Sequence, residues 1–210
     1  MAADTVMIIF QCSGCGRSFS VSPAYAGRRA TCKGCGAVVT VPAAAEAAQS
    51  PPAPRIPMRI RRLRADAELM ARTFAGAGPI RLKGTVGDPP SSYQLEYLVR
   101  GLAPGKGRDP VIRDSHLVEI ELTSDYPRLS PHCKMLTPVF HPNIDDRTIC
   151  VGDHWTAGER LIDLAVRIGE MIAYQAYNIK SPLNGQAAMW ADLNADKIPI
   201  DPRSLRPSES

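Results

Sequence analysis

Phe140-His141-Pro142-Asn143-Ile144-Asp145-Asp146-Arg147-Thr148-Ile149-Cys150 is a rigid turn that ends on a thiol. The apolar run Met135 to Phe140 leads into it and has the composition of a strand, with Lys134 to Phe140 as its expected extent. His141-Pro142-Asn143 then stops regular structure, because Pro142 has no N–H to donate and biases His141 towards extended backbone. Asp145 to Thr148 is a polar loop, and Ile149 returns the chain to the body just before Cys150. A thiol beside a fixed amide side chain suits a sulfur that must hold an acyl group, since the amide can hydrogen-bond a developing oxyanion.

Upstream of this stretch, alternation of apolar and polar residues predicts strands. Tyr93, Leu95, Tyr97 and Val99 share one face, and Val118, Ile120 and Leu122 share another, with Glu119 and Glu121 outside. Ile80 to Val86 is a weaker first strand, and Asp125-Tyr126-Pro127 with Ser130-Pro131 marks a turn. Before the strands, Ile60, Leu63, Ala67, Met70, Ala71 and Phe74 recur at three and four residues, which predicts an amphipathic helix over 58–75. Gly76-Ala77-Gly78-Pro79 stops it. Arg59, Arg61, Arg62 and Arg64 crowd its first turns, where cations oppose the helix dipole, so either a partner or solvent is expected to face them.

Downstream, Thr156-Ala157-Gly158-Glu159 has the form of a capping box. Leu161, Leu164, Ala165, Ile168 and Ile172 then line one helix face, opposite Asp163, Arg167 and Glu170. Ser181-Pro182-Leu183-Asn184 is a turn, and Gly185 to Leu193 a short helix holding Trp190. The fold class expected is α+β: an N-terminal helix, a four-stranded antiparallel meander and C-terminal helices over 58–200, with a frayed polar tail at 201–210.

A separate module precedes this domain. Cys12-Ser-Gly-Cys15-Gly16 and Cys32-Lys-Gly-Cys35-Gly36 repeat one pattern after twenty residues, and Phe19-Ser20-Val21 recurs as Val39-Thr40-Val41. Two Cys-x-x-Cys pairs without a secretory signal read as metal ligands, and four thiolates suit a closed, structural zinc site. Residues 7–42 therefore read as a zinc ribbon with Cys12, Cys15, Cys32 and Cys35 as ligands, too short to fold without its metal. The glycine after each knuckle is expected to take positive φ and turn N–H groups towards sulfur. Arg17, Arg28, Arg29 and Lys33 are more often a solvated face than a nucleic-acid interface, and protein docking fits the module at least as well. Proline every few residues across 43–57 makes an extended linker.

Composition sets bounds on these readings. An apolar fraction of 44%, a charged fraction of 22% and a net charge of +4 are those of a globular chain that needs neither nucleic acid nor membrane as partner. Val6 to Phe10 is too short for a signal peptide, and Leu161 to Tyr174 is broken by charges, so a cytoplasmic location is expected.

With these elements in order, the chain resembles the ubiquitin-conjugating enzymes, and its wording is nearer to bacterial members. The likeness rests on Tyr126-Pro127, Pro131, His141-Pro142-Asn143-Ile144, Ile149-Cys150, Trp155 and Pro182-Leu183-Asn184, and covers roughly 58–194. It implies a thioester-forming transferase of UBC-like fold. Cys150 would accept a ubiquitin-like modifier from an activating enzyme and pass it to an amine of a target, with or without a ligase. It further implies that Asn143 shapes the loop and hydrogen-bonds the oxyanion, that His141 fixes the turn, and that Ser181 borders the incoming amine. No cofactor is implied in this domain.

The sequence departs from the family in places. Six residues separate Asn143 from Cys150, one fewer than usual, and the loop from Cys150 to Trp155 is also short. Ser181 stands where aspartate is frequent, and Arg128 where many members place a ligase-facing phenylalanine. Two other readings follow from the same residues: an inactive adaptor that only binds, with the ribbon recruiting a partner, or a cysteine hydrolase. The hydrolase needs a dedicated base and often a helix amino terminus at the nucleophile, and neither is evident; His154, four residues past Cys150, is a candidate contact to the thiolate. Cys133 reads as core.

Overall fold

A computed structural model describes residues 7–43, 56–107, 109–151 and 155–206. It divides into two compact units at the Arg55/Ile56 junction. Most of the expected linker lies outside the described residues, as does His154.

The first unit is two antiparallel hairpins, β1 (Ile8–Gln11) with β2 (Ser18–Val21), and β3 (Arg29–Thr31) with β4 (Val38–Thr40). Each hairpin carries one cysteine knuckle at its turn. Its core is small: Cys12, Cys32 and Val39, with Phe10, Phe19 and Ala37 packed against them.

In the second unit α1 (Met58–Phe74) leads into β5 (Ile80–Gly87) and β6 (Pro90–Tyr97). A short hairpin follows, β7 (Gly101–Ala103) with β8 (Val111–Arg113), then β9 (His116–Glu121) and β10 (His132–Met135). The main sheet is antiparallel with order β10-β9-β6-β5, the expected meander with the extra hairpin inserted in it. The α+β class is thus the one expected. Period two does the work in the sheet: Tyr93, Leu95 and Tyr97 on β6 and Val118 and Ile120 on β9 are fully buried. Leu63, Met70 and Phe74 of α1 join the same core, as does α2 (Leu161–Ile172). Each such aliphatic or aromatic side chain contributes roughly 1.5–3 kcal/mol by leaving water. Gly169 lets α2 approach the sheet closely, since a Cβ there would stand 3.0 Å from the Tyr97 ring and 2.8 Å from Leu205. The Tyr97 hydroxyl donates to the Ala165 carbonyl at 2.9 Å. No helix among the described residues is long and apolar enough to cross a membrane.

Five expectations are corrected. The strand expected over Lys134 to Phe140 ends at Met135: Leu136 and Thr137 still bond Leu117, but Phe140 N–H has moved across to the Leu102 carbonyl. Pro138 interrupts that run, and beyond it Val139 packs on the main core while Phe140 joins a second cluster with Leu102, Tyr174 and α3 (Gly185–Leu193). Thr156 to Glu159 form a turn rather than a capping box, and α2 starts at Leu161 with Arg160 as its N-cap and no side-chain cap. That helix is buried over most of its circumference, with Ile162, Val166 and Met171 inside as well. The tail expected to fray from Asp201 is docked as far as 206. Asp201 N–H donates to Ala173 O, its carboxylate accepts from Arg100 N–H and Arg203, and Leu205 is buried in the main core. The Arg203 guanidinium holds the Asp201 carboxyl well below the usual carboxylate range.

The fifth correction concerns the basic start of α1. Arg59 donates to the carbonyls of Leu122 and Thr123, and Arg62 to Asp66, Tyr126, Ala157 O and Glu159 O. Only Arg61 and Arg64 of the four present exposed side chains to solvent. The other two tie α1 to the turns that follow β9 and precede α2.

Candidate active site and metal centre

The four expected metal ligands are brought together. Cys12, Cys15, Cys32 and Cys35 place their sulfurs within 4.8 Å of one another, with Cys12···Cys35 at 3.6 Å and Cys15···Cys32 at 3.7 Å. A tetrahedral ion with bonds of ~2.3 Å to sulfur needs S···S edges of about 3.8 Å, so the cluster fits such an ion. Gly14 N–H donates to Cys12 Sγ and Gly34 N–H to Cys32 Sγ, each at 3.3 Å. The Gly34 N–H is the main reason the Cys32 thiol is drawn down to about 6. Gly16 and Gly36 adopt φ of 70° and 75°, as expected, but their N–H groups donate to the carbonyls of Cys12 and Cys32. The bonds to sulfur come from the glycine inside each knuckle instead. The four thiols lie close enough together to hold one metal ion.

The second site is built on the turn after β10. Ile144 forms isolated bridges with His141 and with Ile149, and Ile149 N–H reaches Cys133 O at 2.9 Å. Asp145 Oδ1 accepts from the N–H groups of Arg147 and Thr148, which closes the polar loop without outside help. Cys150 follows, exposed, its N–H donating to the Asn143 carbonyl at 3.0 Å. Cys133, by contrast, is buried, and burial pushes its thiol up to about 12, so it stays a protonated core residue.

Asn143 is the centre of the bracing. Its Oδ1 accepts from Asn178 N–H at 2.7 Å, and its Nδ2 donates to Asn178 O at 2.7 Å and, longer, to Ser181 O at 3.5 Å. Pro142 O accepts from Leu183 and Asn184 N–H. The turn before the thiol is therefore fastened to the turn before α3, and Ser181 is exposed on that second turn. Asn184 caps α3 by accepting from Ala187 N–H at 3.0 Å. Asn178 and Tyr174 were not singled out in the sequence. Tyr174 closes α2 with a φ of 56°, an uncommon conformation for a bulky residue. Its hydroxyl donates to Phe140 O at 2.6 Å, which explains why the conformation is held.

His141 is wholly buried, its ring 4.7 Å from that of Tyr174, and its Nδ1 accepts from Asn143 N–H at 3.1 Å. Burial lowers its pKa to about 3, so it is neutral and can neither take nor give a proton near neutrality. Burial lowers His116 in the same direction. Each has a folded pKa below the unfolded value of about 6.5, so its contribution is complete above that pH and drains away as the pH falls. Unfolding by urea should therefore show stability falling by roughly 2 kcal/mol between about pH 7.5 and pH 5. A flat profile over that window would show that both rings gain a proton without cost in the folded state.

Residues 107–197 match the family model of the ubiquitin-conjugating enzyme. The matched segment holds His141, Asn143, Cys150 and Ser181. A probable ubiquitin-conjugating enzyme E2 of Acanthamoeba polyphaga mimivirus is 34% identical over 89 residues, which are 40% of this chain and 54% of that protein. The ubiquitin-conjugating enzyme E2-23 kDa of Triticum aestivum is 33% identical over 86 residues, 37% of this chain and 46% of that one. The chain thus spans about half the length of these curated relatives. Among solved structures, a ubiquitin conjugating enzyme E2 domain of Toxoplasma gondii aligns with a TM-score of 0.47 at 18% identity, covering 65% of this chain and 88% of that one. A putative ubiquitin conjugating enzyme from Trypanosoma cruzi aligns with a TM-score of 0.46 at 17% identity, covering 67% and 92%.

Proposed function

We propose that the unit from Ile56 onwards is a ubiquitin-conjugating-type transferase that carries a ubiquitin-like modifier as a thioester on Cys150. The supporting observation is an exposed thiol whose own N–H is held by Asn143, inside the segment that matches the family. The Cys150 thiolate attacks the modifier's carboxyl-terminal thioester on the activating enzyme. The new C–S bond forms as the old one breaks and the activating enzyme's thiolate leaves. A target amine then attacks the same carbonyl, the C–N bond forms, and the Cys150 sulfur departs to regain a proton. A thioester keeps the acyl group activated through both exchanges.

Asn143 supports both halves of its expected role unequally. Its carbonyl and Oδ1 hold the loop, while one Nδ2 hydrogen makes only the long 3.5 Å contact with Ser181 O. That hydrogen is the one left free enough to donate to an oxyanion, a donor of the kind that supplies roughly 3 kcal/mol. Ser181 borders the amine but offers no carboxylate to take its proton, so lysine must arrive deprotonated or lose its proton to solvent. Four thiolates and zinc keep the first unit folded and take no part in the transfer.

Replacing Cys150 by serine tests the reading. With activating enzyme, ATP and modifier, C150S should accumulate an oxygen ester that survives thiol treatment, whereas C150A should gain nothing. No adduct on C150S, together with undiminished binding of the modifier, would favour the inactive adaptor.

Arg61 and Arg64, the exposed pair at the start of α1, form the docking face for the activating enzyme. R61E/R64E is expected to slow thioester loading about tenfold, because exposed charges act mainly on encounter, and to leave thermal unfolding unchanged. An unaltered loading rate would reduce these two arginines to solvated surface.

A further inference from the structure

The first unit carries more than a metal. Between its two hairpins lies a cleft of about 380 Å³, walled by Phe10, Phe19, Val21, Val39 and Val41, with Tyr25 and Lys33 at its edges. These side chains come from β1, β2, β4, the residue after β4, the second cysteine knuckle and the 3₁₀ turn Pro23–Tyr25. A fold this small ordinarily spends every apolar side chain on its own core. Here the aromatic pair Phe10 and Phe19, with ring centroids 5.6 Å apart, is only half-buried, and Tyr25 is 53% exposed.

The charge around the cleft is one-sided. Residues 7–43 contain Arg17, Arg28, Arg29 and Lys33 and no aspartate or glutamate. Lys33 lines the cleft, and the Arg28 guanidinium carbon lies 5.7 Å from the centroid of the ring of Tyr25, which lines it too. Arg29 opens the strand whose Ala30 and Thr31 continue the wall. Among the described residues of this unit, none of the four makes an ion pair, so their charge is available to a partner.

We infer that this cleft is a docking site for an acidic peptide segment of a partner protein, one large apolar side chain entering between the hairpins and flanking carboxylates meeting Lys33 and Arg28. A peptide fits better than a nucleic acid. The lining is chiefly apolar, with Val21, Val39 and Val41 beside three aromatic rings, and takes a hydrocarbon side chain, whereas single-stranded bases need open aromatic platforms and a basic groove that tracks a backbone. Of the three aromatic rings, two are turned towards each other. The apolar anchor supplies affinity, and the one-signed rim supplies rate and partner choice. If the second unit is a conjugating enzyme, such a site would bring it a substrate or regulator by a route separate from Cys150. The inference itself rests on the first unit alone.

A displayed library of random peptides, selected on the metal-loaded full chain, tests it. The expected result is enrichment of sequences with one large aliphatic or aromatic residue flanked by aspartate or glutamate. Synthetic peptides of that pattern should bind saturably, and should weaken at least about tenfold when the anchor becomes alanine or when the protein carries K33E/R28E. Both of those residues are exposed, and unchanged zinc content would show that the variant is folded. No enrichment, enrichment that ignores the anchor, equal binding by the variant, or stronger binding of a thymidine oligonucleotide than of the peptides would each overturn the proposal. Thioester formation on Cys150 is read separately, so either result stands whatever the fate of the transferase reading.

Discussion

Chelation of the metal from the full chain is expected to unfold residues 7–43 while the melting transition of the second unit stays where it was. The first unit has two pairs of short strands and, among its described residues, only five buried apolar ones, two of them from the cysteine cluster. Ordering its backbone costs on the order of 1–2 kcal/mol per residue, far beyond what so little apolar burial returns. Structural zinc contributes about 10–16 kcal/mol of apparent binding energy in comparable small modules, so a metal bound to the four thiols would be the main source of folding energy here. The second unit draws instead on a core that spans α1, α2 and the four-stranded sheet. Amide exchange should lose protection in β1 to β4 after chelation and keep it in β5, β6 and β9, with a single calorimetric transition unchanged in midpoint. Protection retained in β1 to β4 would show that the ion is dispensable. Joint loss of both units would show that they fold as one.

Breaking the tie between α1 and the turn before α2 is the other change with a large effect. Asp66 is 4% exposed, accepts from Arg62 Nε at 2.7 Å and from the Tyr126 hydroxyl at 2.6 Å. Arg62 also lies 5.3 Å from the Tyr126 ring centroid, and Tyr126 packs against Trp155, whose Nε1 donates to Pro127 O. Burial, with Asp66 beside it, drives the Tyr126 phenol far above its usual range, so it remains a donor. Removing the carboxylate leaves Arg62 Nε and the Tyr126 hydroxyl without their acceptor in a mostly dry setting. D66A should therefore cost about 3–5 kcal/mol, which lowers the midpoint of the second unit by roughly 10 °C. R62E, which places two carboxylates side by side, should be as damaging, whereas R61A should be neutral. A loss below about 1 kcal/mol for D66A would show that water replaces the carboxylate at little cost.

The reach of the sequence follows the range of the interactions. Helix α1 and strands β6 and β9 were legible because their buried residues repeat within the element itself, every three to four positions or every second one. The cysteine cluster was legible for a similar reason: a knuckle is a local motif, and its repetition after twenty residues announces its partner. The hairpin β7–β8 went unseen because strands of three residues are too short to show a period. Nothing near Arg62 in the chain points to Ala157 or Glu159, nearly a hundred residues on, so the basic run read as surface when half of it is internal bracing. The docked tail depends on one carboxylate and one leucine in a polar stretch, Asp201 and Leu205, whose partners Arg100 and Gly169 lie elsewhere. At the candidate active site the residue types and their order were visible, but the fastening of Asn143 to Asn178 was not. That contact decides how much of the amide remains for chemistry, and it exists only through space.

Intact-mass spectrometry of the freshly reduced protein, after incubation with ATP, its activating enzyme and its ubiquitin-like modifier, addresses the thiol itself. The cognate proteins are best sought among the reading frames beside the gene. The account predicts a mass increase equal to one modifier less water, located on the peptide containing Cys150 and removed by dithiothreitol. If the machinery charges its own activating enzyme yet no dithiothreitol-labile mass ever appears on Cys150, the chain is not a thioester carrier.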